Sequence, residues 1–102
     1  MGGPPEVFSL EQAGSADVYN IRPTKAARRV CPENLWKVAR RKLNLLNVVT
    51  RLDGLRSPPG NQLELLVGDR TGQHSIRVNQ KYRICFKWTD FGAEAVEIVD
   101  YH

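Results

Sequence analysis

The chain closes on Asp100-Tyr101-His102, an acid, a phenol and an imidazole in consecutive positions. An imidazole titrates near neutral pH and suits either proton role, acid or base. Upstream, Arg83 offers a planar, permanently charged set of donors that fits a phosphate, and Arg77 and Lys87 add cations on either side of it. These residue types suit proton transfer beside an anion. A histidine at a chain end is by default a frayed end, so the elements that carry these residues decide whether they meet.

Residues 62–102 read as four short strands. Leu63, Leu65 and Val67 alternate with Glu64 and Leu66, a half-buried strand that stops at Gly68. His74, Ile76 and Val78 alternate with Gln73, Ser75 and Arg77. After the turn Asn79-Gln80-Lys81, Tyr82, Ile84, Phe86 and Trp88 alternate with Arg83, Cys85 and Lys87. Asp90-Phe91-Gly92 makes the next turn, and Val96 and Ile98 then alternate with Glu97, Val99 and Tyr101. Successive strand residues point to opposite faces, so one face collects Ile76, Val78, Ile84, Phe86 and Trp88 and the other Arg77, Arg83 and Lys87. The first face wants a covering helix. The second is a solvated face or a surface for a phosphate chain.

The cover comes from the N-terminal half. Residues 1–5 read as a loose tail and Glu6 to Leu10 as a short strand. Ser9 and Gln12 have the spacing of a capping box for a short helix towards Asn20, against which Gly14 counts. Ile21 to Val30 is basic and broken by Pro23, the pattern of a solvated connection. Pro32 and Glu33 open a helix running to Val49, with Leu35, Val38, Ala39, Leu43, Leu46 and Val49 on one stripe. Lys37, Arg40, Arg41, Asn44 and Asn47 fall on its solvated side, and Ser57-Pro58-Pro59-Gly60 is a rigid connection into the sheet.

At 102 residues the chain makes one domain with one core. The apolar fraction of 41% excludes general disorder, and fifteen Lys and Arg against eleven Asp and Glu favour anionic partners, nucleic acid first. Neither a membrane span nor a secretion signal is present, so a cytoplasmic protein is expected. Cys31 and Cys85 read as free thiols, and the two histidines form no metal pattern, so catalysis without a metal or other cofactor is expected. Asp90-Phe91-Gly92 shares its letters with a kinase metal motif but has no glycine-rich loop before it. Gly68-Asp69-Arg70-Thr71-Gly72 lacks the ending of a phosphate loop, so its glycines serve backbone geometry.

Several motifs in order carry a family likeness: 58–64 (PPGNQLE), 68–72 (GDRTG), 75–79 (SIRVN), 82–84 (YRI) and the closing Asp100-Tyr101-His102. From about Ala39 onward the chain resembles the HigB toxins of bacterial toxin-antitoxin modules, within the RelE/ParE superfamily; before that the likeness is looser. The resemblance implies an α+β, RelE-like fold with two N-terminal helices on one face of a mostly antiparallel sheet of four to five strands. It also implies a messenger-RNA endonuclease acting on the translating ribosome and neutralised by a HigA antitoxin. Mapped by motif, Arg83, Asp100, Tyr101 and His102 are the implied catalytic set, and Arg70, Arg77, Lys87 and Glu64 the implied RNA contacts. Many relatives carry lysine where this chain has Val67, and some carry histidine at the position of Glu64. With one charge fewer, cleavage slower by roughly 10- to 1000-fold than in lysine-bearing relatives is expected. Two other functions suit the same fold: a ParE-like poison of DNA gyrase without a nuclease site, against which the terminal triplet speaks, and a non-catalytic RNA-binding module.

Overall fold

The computed structural model describes Gln12 and residues 14–100. The expected strand over Glu6 to Leu10, Ser9 of the capping box, Tyr101 and His102 lie outside the described residues. Helices α1 (Ser15–Tyr19), α2 (Lys25–Val30) and α3 (Trp36–Val48) precede strands β1 (Glu64–Leu65), β2 (His74–Arg77), β3 (Tyr82–Thr89) and β4 (Gly92–Asp100). The strands form one antiparallel sheet in chain order. Helix and sheet residues share a single apolar cluster, in which Trp36, Ala39, Leu43 and Leu46 of α3 meet Ile76, Ile84, Phe86, Val96 and Ile98. This is the expected α+β architecture.

Among the described residues a third helix joins the two expected, because 21–30 is not a solvated connection. Thr24 takes an extended backbone and its Oγ1 accepts from Ala27 N at 3.0 Å, capping α2. Pro23 precedes that cap and breaks nothing. Ala27 and Val30 are buried while Arg28 and Arg29 stay outside. Gly14 starts α1 at φ +91°, and a Cβ there would sit 2.3 Å from Ala26 O, so α1 and α2 meet backbone against backbone.

α3 is shorter than expected and its buried stripe is rotated. A 3-10 turn (Glu33–Leu35) replaces its first turn, Leu35, Val38 and Val49 are half-buried, and Trp36 is buried. The Trp36 indole donates to Cys31 O at 3.0 Å, which satisfies its one polar atom. Lys42 also lies on the buried side. Its ammonium donates to Asn61 Oδ1, and Asn61 Nδ2 donates to Leu55 O and Ser57 O, each at 3.2 Å, so α3 pins the connection that leads into the sheet.

Two strands depart from simple alternation. β1 is two residues long, with Leu65 and Val67 exposed and Leu66 buried, the reverse of the expected phase. Gln62 adopts a left-handed backbone at φ +46° after the turn Pro59–Asn61, and Gly68 at φ +73° opens another turn, so too little extended chain remains to fix a register. In β4 the register steps from Cys85↔Glu97 to Lys87↔Glu94, a bulge with Ala95 at φ +50°. The extra residue lets Ala93, Val96 and Ile98 all reach the core despite their mixed spacing. At the outer edge of β4, the Gln12 carboxamide donates to Ile98 O and accepts from Ile98 N, both at 2.8 Å.

Candidate functional site

Paired residues of an antiparallel ladder share a face. Across the sheet, Glu64 faces Ser75, Ser75 faces Cys85, and Cys85 faces Glu97; the adjoining row is Arg77, Arg83 and Val99, and Lys87 stands opposite Glu94. Arg77, Arg83 and Lys87 therefore share the face turned away from the apolar cluster, as the alternation requires. That face is not uniformly solvated. Lys87 is exposed and Arg77 half-buried, whereas Arg83 is 6% exposed and Ser75 and Cys85 are fully buried.

Arg83 is buried because its donors are met. Nε donates to Ser75 Oγ at 2.7 Å, and Nη2 donates to Gln62 O at 2.5 Å and to Ser75 O at 3.4 Å. Glu64 Oε1 lies 3.7 Å away on a half-exposed side chain. The left-handed turn at Gln62 aims that carbonyl at the guanidinium, and the Lys42 and Asn61 pair holds the turn. Arg77 sits directly across from Arg83 but turns aside, donating from Nε to Asn79 O at 3.1 Å, which relieves the like-charge contact.

Arg70 reaches the same face from its turn. Nη2 donates to Glu97 Oε1 at 2.6 Å and Nη1 to Gln73 Oε1 at 3.1 Å. The hydrogen bond to Glu97 raises the Arg70 guanidinium further above its usual range. Burial pushes the Cys85 thiol up, against the pull of Arg70 and Arg83, and burial alone pushes Cys31 up to about 11. Both cysteines are free thiols and stay protonated at neutral pH. His74 lies on the other face, stacked with Phe86 at 6.2 Å, and burial lowers its pKa. No three His, Cys, Asp or Glu side chains converge to hold a metal among the described residues.

The structure thus gathers Glu64, Arg70, Arg77, Arg83 and Lys87 on one face. Asp100 stands opposite Tyr82, one position out of phase with Arg83, so it belongs to the other face, where its Oδ2 lies 3.7 Å from Lys81 Nζ. Ser75, Gln62 and Glu97, the groups that hold Arg83 and Arg70, are the polar partners that the sequence reading did not single out. For Ser75 the signal was present, since it shares the phase of Arg77 in β2; the Gln62 carbonyl is placed by a turn that no side-chain pattern announces. No helix among the described residues is long and apolar enough to cross a membrane.

A family model described as a RelE-like toxin of type II toxin-antitoxin system HigB matches residues 18–102. A protein of Haemophilus influenzae described as uncharacterized is 46% identical over 57 residues, 56% of each chain. Toxin HigB-1 of Vibrio cholerae is 42% identical over 62 residues, 61% of this chain and 65% of that toxin. The similarity thus spans a little over half to about two thirds of these relatives. With the family model matched from α1 through the last strand, the chain belongs to the HigB-like toxins, RelE-like toxins of type II toxin-antitoxin systems.

Proposed function

We propose that this toxin is a ribosome-dependent messenger-RNA endonuclease that acts in the cytoplasm, blocks translation and is held in check by a HigA-type antitoxin. The observation that carries the reading is Arg83, a guanidinium fixed in plane by Ser75 Oγ and Gln62 O on a sheet face that also bears Arg70, Arg77 and Lys87. A pre-oriented cation on a rigid strand stabilises charge as it grows on a phosphate without reorganising during the reaction. The 2′-hydroxyl attacks the adjacent phosphorus and loses its proton to a base, and the departing 5′-oxygen takes a proton from an acid. His102 fills one of these proton roles and Tyr101 stacks on a base or donates a proton. Asp100, out of phase with Arg83, orients its neighbours rather than touching the phosphate. Glu64, beside Arg83, yields to the incoming phosphate.

Translating ribosomes are incubated with the protein and the message ends mapped. The wild type is expected to cut, and Arg83→Ala and a chain lacking His102 are expected to leave the message intact; because Arg83 is buried and hydrogen-bonded, its variant is compared at a temperature below its own melting point. Full cleavage by either variant overturns the assignment.

A further inference from the structure

A second guanidinium on the basic face is covered in the free chain by a carboxylate. Arg70 ends the turn Gly68–Arg70, which Thr71 closes by donating to Gly68 O from N at 3.1 Å and from Oγ1 at 2.6 Å. Gln73 closes it again: its N donates to Arg70 O at 3.0 Å and its Oε1 accepts from Arg70 Nη1 at 3.1 Å. Glu97 approaches from β4 and accepts from Nη2 at 2.6 Å. Arg70 therefore keeps a side-chain partner next to its own turn when Glu97 moves away.

Two features set this pair apart from a strut between turn and strand. Its side chains are 35% and 37% exposed, and an ion pair so open to water adds little to stability, so separating it costs little. It also has a counterpart. In the row Glu64, Ser75, Cys85 and Glu97, carboxylates stand at both ends, Glu64 3.7 Å from Arg83 and Glu97 on Arg70. The buried Cys85 thiol, pushed up by burial, feels the charges of Arg70, Glu97 and Arg83, so the two guanidiniums flank one side chain. Each is held by neutral groups, Gln73 for Arg70 and Ser75 and Gln62 for Arg83, with a carboxylate at the solvent edge.

A carboxylate and a phosphodiester each offer a guanidinium two oxygens for paired hydrogen bonds. A lone anion exchanges one for the other and gains little. A strand carries its phosphates at fixed intervals, so once one is seated the next meets its arginine at high effective concentration. We infer that Arg70 is a second phosphate subsite beside Arg83 and that Glu97 stands in there for an RNA phosphate, so that the face opens to a strand offering two phosphates together. The inference deepens the reading proposed above and rests on its RNA substrate.

The test measures binding apart from cleavage, with the full chain and a uridine hexanucleotide methylated at every 2′-oxygen, which leaves no hydroxyl to attack. Glu97→Gln keeps an oxygen acceptor for Arg70 and removes the charge, and is expected to bind about tenfold more tightly at low salt. Glu94→Gln removes the same charge opposite Lys87 and is expected to gain less than about twofold. Arg70→Met is expected to weaken binding and to lower the slope of log affinity against log salt by about 0.7, the share of one phosphate on a single strand, and Arg70→Lys to restore that slope. Equal gains from Glu94→Gln and Glu97→Gln, no gain from Glu97→Gln, an unchanged slope in Arg70→Met, or no binding by any of these chains overturns the subsite. Cleavage on ribosomes is read in parallel. A wild type that cuts while Glu97→Gln binds no more tightly keeps the nuclease reading and loses the subsite; one that shows the binding differences and cuts nothing keeps the subsite and loses the nuclease reading.

Discussion

The two faces of the sheet each bury side chains at the centre, by different means. Beneath the helices, Ile76, Ile84 and Phe86 are fully buried against Leu43 and Leu46. On the opposite face, Ser75 is as inaccessible and Arg83 keeps only 6% exposure, yet hydrogen bonds, not apolar packing, close over them. Dispersion and water exclusion grade smoothly with the atoms removed, whereas a hydrogen-bonded cation loses a whole partner at a time. The apolar face therefore sets stability, and the polar face sets where one cation points.

Substitutions on each face sharpen that contrast. Leu43→Ala empties a fully buried site and is expected to cost about 2–5 kcal/mol in denaturant unfolding; a loss under about 0.5 kcal/mol breaks the account of the helix-covered face. Ser75→Ala removes the acceptor of Arg83 Nε, and about 1–3 kcal/mol is expected from the unmet buried donor. Cleavage should fall more steeply than stability does, because the guanidinium loses its fixed plane; parallel losses show that Ser75 only supports the fold. Val67→Lys adds a cation beside Gly68-Asp69-Arg70. Val67 is 83% exposed, so the new charge acts through solvent and about a tenfold gain in cleavage is expected, the low end for one electrostatic contact. No gain removes the argument that the missing lysine limits the proposed cleavage.

The smallest effect concerns acid. His74 has its pKa lowered by burial, so the unfolded chain binds a proton more readily than the folded one. Its contribution to stability is complete above the ordinary histidine value of about 6.5 and declines as pH falls from there towards the folded pKa. His74→Gln should flatten the melting temperature against pH in that window; an unchanged slope places the acid sensitivity elsewhere.

Much of this arrangement was legible in the sequence wherever a pattern ran long enough. Tyr82 to Trp88 alternate over a whole strand, and that fixed both the core set and the shared face of Arg83 and Lys87. Asp90-Phe91-Gly92 is the hairpin turn expected, with Thr89 paired to Gly92. The misreadings fall where backbone geometry or a distant partner overrules side-chain pattern. α2 rests on the cap at Thr24, and β1 loses its phase between two residues of positive φ. The bulge at Ala95 hides in a sequence that otherwise alternates. Polar groups that hold a functional side chain through backbone oxygens, as Gln62 does for Arg83, leave no residue-type signal at all.

Gln12 bears on how separate copies of the toxin meet. A free strand edge is a template on which another chain can extend the sheet, and natural proteins blunt such edges. At Ile98 the carboxamide of Gln12 occupies the donor and the acceptor together, as a neighbouring peptide group would. Ser15 Oγ holds that amide from α1, donating to its Oε1 at 2.5 Å. Sheet-to-sheet association of this basic protein through β4 is thus closed at that position by one side chain.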